Sequence, residues 1–355
     1  INGGSIAVQG VRTLTIKSCR FSKNSADEFG GCVYIDHASL VYIESSTFYF
    51  NRANNKGGVI YATHVHSASM SFCLFQSNIA DIDGAVLWSS KIVQIFIMKS
   101  IQRDNYAKHN GGCLHISITK SMLTFSCTFV SNKADKHGSS QYLSNIHNVS
   151  HIACKYLSNL AHESGGAIYQ QEIRNLLKKN CSFVKNTAGH KTYSMGGAVY
   201  SFKVHTSLHV LCIYKGNIMK SAHSYGVALA MEYVEFVSNL QCTFDGNSAH
   251  LHSKGGGMHL QNYGDKTKRY AVTLININCK FYGNIAQSGG GMYISNICTV
   301  RITRCIFANN KAKVMVRGSV AYGASMYVTQ ACYVESSNTT FIKNLAYLSG
   351  PAMYV

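Results

Sequence analysis

An asparagine returns three residues after an aromatic-type position, twelve times along this chain. The aromatic-equivalent positions Phe21, Phe48, Phe75, Gln102, Phe129, Tyr156 and Phe183 are each 27 residues apart. The series continues less regularly as Tyr214, Phe244, Phe281, Phe307 and Phe341. The asparagines are Asn24, Asn51, Asn78, Asn105, Asn132, Asn159, Asn186, Asn217, Asn247, Asn284, Asn310 and Asn344. Between successive copies lie a Gly-Gly step and an apolar-x-Tyr step. A fixed period of this size marks a stack of like supersecondary units, none of which can bury its apolar face alone.

Each unit offers short strand-like runs, in the first case Cys32–Ile35, Leu40–Glu44 and Ser46–Phe48. Turn-forming residues separate them at Asp36 to Ser39, at Ser45 and from Ser22 through Gly31. Alternation puts Cys19 and Phe21, or Cys73 and Phe75, on one face. Helical periodicity is absent. The expectation is an all-β, right-handed, single-stranded parallel β-helix of about twelve coils of mostly 27 residues. It should form one domain over 1–355, with more irregular coils and longer loops from about 187. Stacking turns each motif position into a ladder. The Phe column (Phe21, Phe48, Phe75, Phe129, Phe183) should point inward, the Asn column should bond from coil to coil, and Gly-Gly should serve positive φ or close approach.

Phe-x-x-Asn alternating with Gly-Gly-Ala-[Ile/Val/Leu] occurs as Phe183-Val-Lys-Asn186, Gly165-Gly-Ala-Ile168 and Gly196-Gly-Ala-Val199. This alternation, from residue 3 to 354, resembles the repeat of the chlamydial polymorphic outer-membrane proteins. Those are β-helical autotransporter passengers that serve in adhesion, and similar repeats occur in surface proteins of some eukaryotic microbes. The resemblance implies a β-helical fold and an adhesive surface role. The chain departs from that family in having no C-terminal β-barrel pattern and in its strongly basic balance.

Hydrophobic residues make up 46% of the 355, enough for a continuous core, and no apolar run reaches the length of a membrane-spanning helix. Nothing at the N-terminus reads as a signal peptide. The sequence begins and stops within a unit, which reads as a fragment of a longer chain or as protomers that assemble end to end, with continuation the favoured expectation.

Nine of the 13 cysteines lie two residues before the aromatic position: Cys19, Cys73, Cys127, Cys154, Cys181, Cys212, Cys242, Cys279 and Cys305. The last seven fall on consecutive coils. They read either as buried thiols acting as small hydrophobes or as pairs stapled between coils in an oxidising compartment. Cys298 and Cys332 form a second short column and a candidate disulfide. Cys32 and Cys113 each follow a Gly-Gly. No Cys-x-x-Cys suggests a zinc or redox centre, and no cofactor is expected.

Thirty-three Lys and Arg against 15 Asp and Glu leave a net charge of +18, which favours anionic partners. Acidic or sulfated glycans and lipid headgroups are candidate partners, beside a solvated basic surface whose edge lysines discourage lateral sheet aggregation; without a recognition helix or Arg-rich cluster, specific nucleic-acid binding is not expected. The Asn-to-Gly segment spans 7 residues in regular units (24 to 31) but 11 at 186–197, 10 at 217–227 and 247–257, and 14 at 310–324. Such insertions gather on loops of one face. Candidate polyanion-binding residues are Lys311, Lys313 and Arg317, which with Lys191, Lys220 and Lys254 make the C-terminal half basic, and Lys266, Lys268 and Arg269, carried by a further insertion from Gln261 to Tyr270 on a different edge.

Asp27, Asp81 and Asp135 stand on alternate coils of one column, about 9–10 Å apart, near the upper limit for an inverting glycosidase pair. Asn54 and Lys108 occupy the coils between, favouring a solvated mixed-charge ladder. Histidines collect in the same corner (His109, His137, His162, His190, His223, His250 and His252), and His37 and His64 stack as neighbours. Their phases shift between units, so no fixed tetrahedral metal set is expected. Asn148, Asn180 and Asn338 begin N-glycosylation sequons, usable only in a secreted eukaryotic protein.

The resulting expectation is a non-catalytic structural or adhesive protein of the cell surface or an extracellular filament. One alternative is a polyanionic-glycan-binding module. A second is a β-helix polysaccharide lyase or glycoside hydrolase.

Overall fold

A computed structural model describes residues 2–190, 192–249, 251–263, 272–314 and 320–355. The described residues form strands and connecting turns with no helix, and the strands pair in parallel, as Ile6–Lys17 does with Val33–Glu44 and Val33–Glu44 with Ile60–Ser71. The contacts divide the chain into two units, one comprising Ile1–His162 with Ala167–Ile173, the other Glu163–Gly166 with Arg174–Val355. Each is a parallel β-solenoid. The strands that carry the aromatic positions, twelve from Arg20–Ser22 to Thr340–Ile342, mark about twelve turns, six in each unit.

In the first unit a coil contains a long strand, a three-residue strand and a two-residue strand, such as Val33–Glu44, Thr47–Tyr49 and Arg52–Ala53. Pairing advances by one period, so Val33 faces Ile60, Phe48 faces Phe75 and Ala53 faces Ala80. Two details differ from the sequence reading. Asp36 to Ser39 is not a loop: the strand Val33–Glu44 runs through it, bent by one left-handed residue, His37 (φ 55°). Within this unit the same corner is made by Gly10 on the preceding coil and by His64, Lys91, Ile118, Asn145 and Glu172 on later ones, and of these Gly10 and Asn145 carry a residue type that announces a left-handed turn. The stretch assigned to a long turn also contains the two-residue strand.

The Gly-Gly step uses its two members differently. Gly30 adopts φ 64°, whereas a Cβ on Gly31 would lie 2.3 Å from the carbonyl oxygens of Arg52 and Gly58. The first glycine serves the turn, and the second allows the next coil to close against it.

In the second unit the long strand is intact at Val199–Val210 and Leu229–Leu240. It then divides into pairs such as Met258–Gln261 with Thr273–Ile277. Three of the lengthened Asn-to-Gly segments build an additional sheet from Tyr193–Met195, His223–Tyr225 and His252–Lys254.

Inside, the aromatic rings form vertical files. Phe21, Phe48 and Phe75 stack at 5.1 and 4.9 Å between ring centroids, with their planes nearly parallel. Phe129 and Tyr156 stack at 4.9 Å, while Phe183, Tyr214, Phe244, Phe281 and Phe307 stack at 4.7–4.9 Å in the second unit. Burying each ring contributes on the order of 2 kcal/mol, and each stacked pair about 0.5–1.5 kcal/mol more. Gln102 interrupts the first file, fully buried, with neither amide atom hydrogen-bonded.

Candidate functional site

The repeated asparagines face inward at a corner and form a hydrogen-bonded column. Asp104, just before Asn105, takes the left-handed turn (φ 56°), so Asn105 is not required for its own backbone shape. Its side chain bonds in two directions. Oδ1 accepts from the backbone N–H and the amide of Asn78, both at 3.0 Å, and Nδ2 donates to Asn132 Oδ1 at 3.0 Å and to the Phe75 carbonyl at 3.1 Å. Asn51, Asn78 and Asn132 repeat the pattern, as do Asn217, Asn247, Asn284 and Asn310 in the second unit. Asn24 donates into the column from one end of this set, and Asn159 and Asn186 belong to the columns of their own units. A buried amide that uses both its donors and its acceptor is bonded at little net cost.

The cysteines two residues before the aromatics are inward too. Their thiols donate to backbone carbonyls, as Cys127 does to Ile97 (3.2 Å) and Cys279 to Asn239 (3.2 Å). Contact with the neighbouring Cys154 sulfur, then burial, raises the pKa of Cys127 and holds it in the thiol form. Neighbouring sulfurs and burial act alike on Cys242, in contact with Cys212 and Cys279, and on Cys305, in contact with Cys279. Cys181 is buried in the same column. Away from it, Cys32 is buried and pushed up to about 12 by desolvation, partly offset by Ser5. Cys298 and Cys332 lie on neighbouring coils, the Cys332 N–H donating to the Cys298 carbonyl at 3.1 Å.

Polar interior positions within each unit escaped the sequence reading. Five residues before the aromatic position stand Ile16, Ile43, Met70 and Ile97, but then Thr124, His151, Lys178, His209, Asn239 and Asn276, all six of which are fully buried. In the first unit, His151 Nδ1 lies 2.6 Å from Thr124 Oγ1 and 3.3 Å from the Tyr156 hydroxyl. In the second, His209 is held between Ser207 Oγ and the Tyr214 hydroxyl, 2.8 Å from each, and Asn239 donates to Asn276 at 2.7 Å. Lys178 differs, because its ammonium has no hydrogen-bond partner. Burial pulls its pKa down to about 7, against a smaller upward pull from Cys212 and Cys181. Counting the five-residue offset along the chain would have exposed these positions.

Outside, the carboxylates of the proposed acidic column are engaged. Asp81 binds Arg52 at 2.7 Å and Lys108 at 3.2 Å. Asp135 receives the Tyr106 hydroxyl and faces His162 at 3.3 Å and Lys133 at 3.8 Å. Asp27 is exposed. The corner histidines do not converge as one set: His137 packs on Tyr169, and His223 stacks between Tyr193 and His252. His109 and His162 are half-buried and His190 is exposed. His37 and His64 stack with ring centroids 4.4 Å apart.

Of the candidate polyanion-binding residues, Lys311 begins the two-residue strand Lys311–Ala312 and Lys313 follows it, both half-buried. Lys266, Lys268, Arg269 and Arg317 lie outside the described residues, as do Lys191 and His250. Lys220 is exposed, while Lys254 rests over the Tyr293 ring at 4.9 Å. Asn180 and Asn338 are exposed in left-handed turns (φ 54° and 49°), and Asn148 is half-buried in the strand Gln141–Ile152. No helix among the described residues is long and apolar enough to cross a membrane. Against known proteins, no family model and no curated protein matches this chain.

Proposed function

We propose that this chain is a non-catalytic β-solenoid that serves as a structural or adhesive element at a cell surface or in an extracellular filament. The observation that carries this reading is the state of the acidic column. A carboxylate that works as general acid, base or nucleophile must face its substrate with a tuned proton affinity. Asp81 instead sits between two cations, Arg52 and Lys108, on the coils before and after it. Such pairing favours a charge ladder that ties coils together. The resemblance of the repeat to that of chlamydial polymorphic outer-membrane proteins, and the exposure of the sequon residues Asn180 and Asn338, support an extracellular setting.

The net charge of +18 favours a second reading, a module that retains acidic or sulfated glycans. Incubation with a panel of neutral, acidic and sulfated polysaccharides separates these functions. Depolymerisation of any polymer would refute the non-catalytic reading. Retention that weakens with salt, without turnover, selects the glycan-binding module, and absence of both selects the structural one.

A further inference from the structure

Asp36, His37 and His64 bring three metal-ligating atoms to one exposed corner of the first unit. Asp36 Oδ1 lies 2.9 Å from His37 Nδ1 and 3.2 Å from His64 Nδ1, and all three ligand atoms fall within 4.8 Å of one another. Donor separations at a tetrahedral ion with bonds of about 2.0 Å are roughly 3.3 Å, so a small inward or outward adjustment of the imidazoles suffices.

The fold supplies this arrangement. His37 and His64 occupy the left-handed corner on successive coils, so their rings leave the backbone in the same direction and lie 4.4 Å apart at 10°. Thr63 Oγ1 donates to Asp36 Oδ1 at 2.8 Å, and Gln9 Nε2 approaches Oδ2 at 3.4 Å, which orients the carboxylate. On the preceding coil the same corner is Gly10, where an added Cβ would meet nothing within 4 Å. A shallow cleft therefore opens beside the histidines, lined by Gly10, Val11, Arg12, His37, Ala38, Ser39 and His64.

We propose that Asp36 Oδ1, His37 Nδ1 and His64 Nδ1 bind one borderline divalent transition ion, with Zn2+ as its probe, leaving a fourth position open to the cleft at Gly10 and Arg12. Two imidazoles with one carboxylate suit Zn2+, Ni2+ or Cu2+ better than the hard ions Mg2+ and Ca2+. The open position takes water or a small anion, which the Arg12 guanidinium at the cleft wall would favour. The site spans two coils, so the ion also clips the turn at 36–37 to the turn at 63–64.

The test is a Co2+ titration of the chelator-treated chain, read by visible absorption, with Zn2+ competition read by calorimetry. The expected result is one ion per chain with ligand-field bands and no thiolate charge-transfer band. Asp36→Asn and His64→Asn should each weaken binding at least tenfold, while His66→Asn leaves it unchanged. Asparagine occupies this corner at Asn145 (φ 53°), so His64→Asn keeps a residue that tolerates the turn. On the unaltered chain, Zn2+ should protect His37 and His64, but not His66, from diethylpyrocarbonate as read by peptide mass spectrometry. Affinity equal in all variants, a thiolate spectrum, or absence of that protection would overturn the assignment.

Discussion

Replacing Asn105 with alanine tests whether the asparagine column holds the coils together or only shapes turns. Asn105 is fully buried, and its side chain makes four hydrogen bonds with oxygen or nitrogen partners on Asn78, Phe75 and Asn132, besides a weaker one from Nδ2 to Cys113 Sγ at 3.5 Å. Asn105→Ala removes the acceptor of two donors, the Asn78 N–H and one hydrogen of the Asn78 amide. An orphaned buried donor costs about 1–3 kcal/mol, so the pair predicts a loss of about 4 kcal/mol. The Phe75 and Asn132 oxygens lose a donor as well, but Asn132 Oδ1 keeps the Asn105 backbone N–H at 3.1 Å, so their share is smaller. A turn-forming role alone predicts less than about 1 kcal/mol, because the left-handed residue is Asp104, not Asn105. Urea unfolding followed by far-ultraviolet circular dichroism gives the total, and hydrogen exchange at the Asn78 amide locates it. Asn105→Asp sharpens the test: the introduced carboxylate would face the Phe75 carbonyl and Asn132 Oδ1, so its penalty should ease as the pH falls and the group protonates. A loss below about 1 kcal/mol for alanine, with unchanged exchange at Asn78, would refute the reasoning.

Gln102→Phe should raise stability by about 2–4 kcal/mol, since it removes two unpartnered buried amide atoms and restores the file between Phe75 and Phe129; a lower urea midpoint would contradict this. Ile118 is a β-branched residue at φ 50°, half exposed at 53%, so Ile118→Asn should gain about 1–2 kcal/mol in the same assay, and no gain would mean the corner carries no strain there. Lys178, with its pKa lowered to about 7 by burial, should destabilise the fold most below pH 7, where the folded and unfolded states both carry the proton. As the pH rises toward the unfolded value near 10.4, the unfolded state binds more protons than the folded one and stability climbs. Lys178→Met should therefore be more stable than the parent at pH 6, with an advantage that shrinks by about 2–3 kcal/mol by pH 9. A pH-independent difference between the two proteins would show that the lysine titrates normally.

What the sequence made legible was whatever repeats with the metre. One aromatic and one asparagine per 27 residues sufficed to align coil on coil, because in a parallel stack a fixed offset places like residues one above the other. That arithmetic pointed to the Phe file, the Asn column and the buried cysteines. It passed over elements that obey local geometry without a residue signature. The strand Arg52–Ala53 is two residues long, too short for alternation to register, and the corners at His37, Lys91 and Ile118 take left-handed backbone without glycine or asparagine. The inserted segments read as loops, since pairing among Tyr193–Met195, His223–Tyr225 and His252–Lys254 depends on spacings of 30 and 29 residues that the 27-residue metre does not contain. The same reasoning explains the histidine corner. His37 and His64 share a phase, but their convergence on Asp36 follows only once the chain is known to bend at each histidine, swinging its imidazole back beside the preceding carboxylate. In a solenoid the metre determines what stacks, and the corners determine what converges. Ligand chemistry is therefore better sought at the corners, where single substitutions change a side chain's direction without disturbing the files inside.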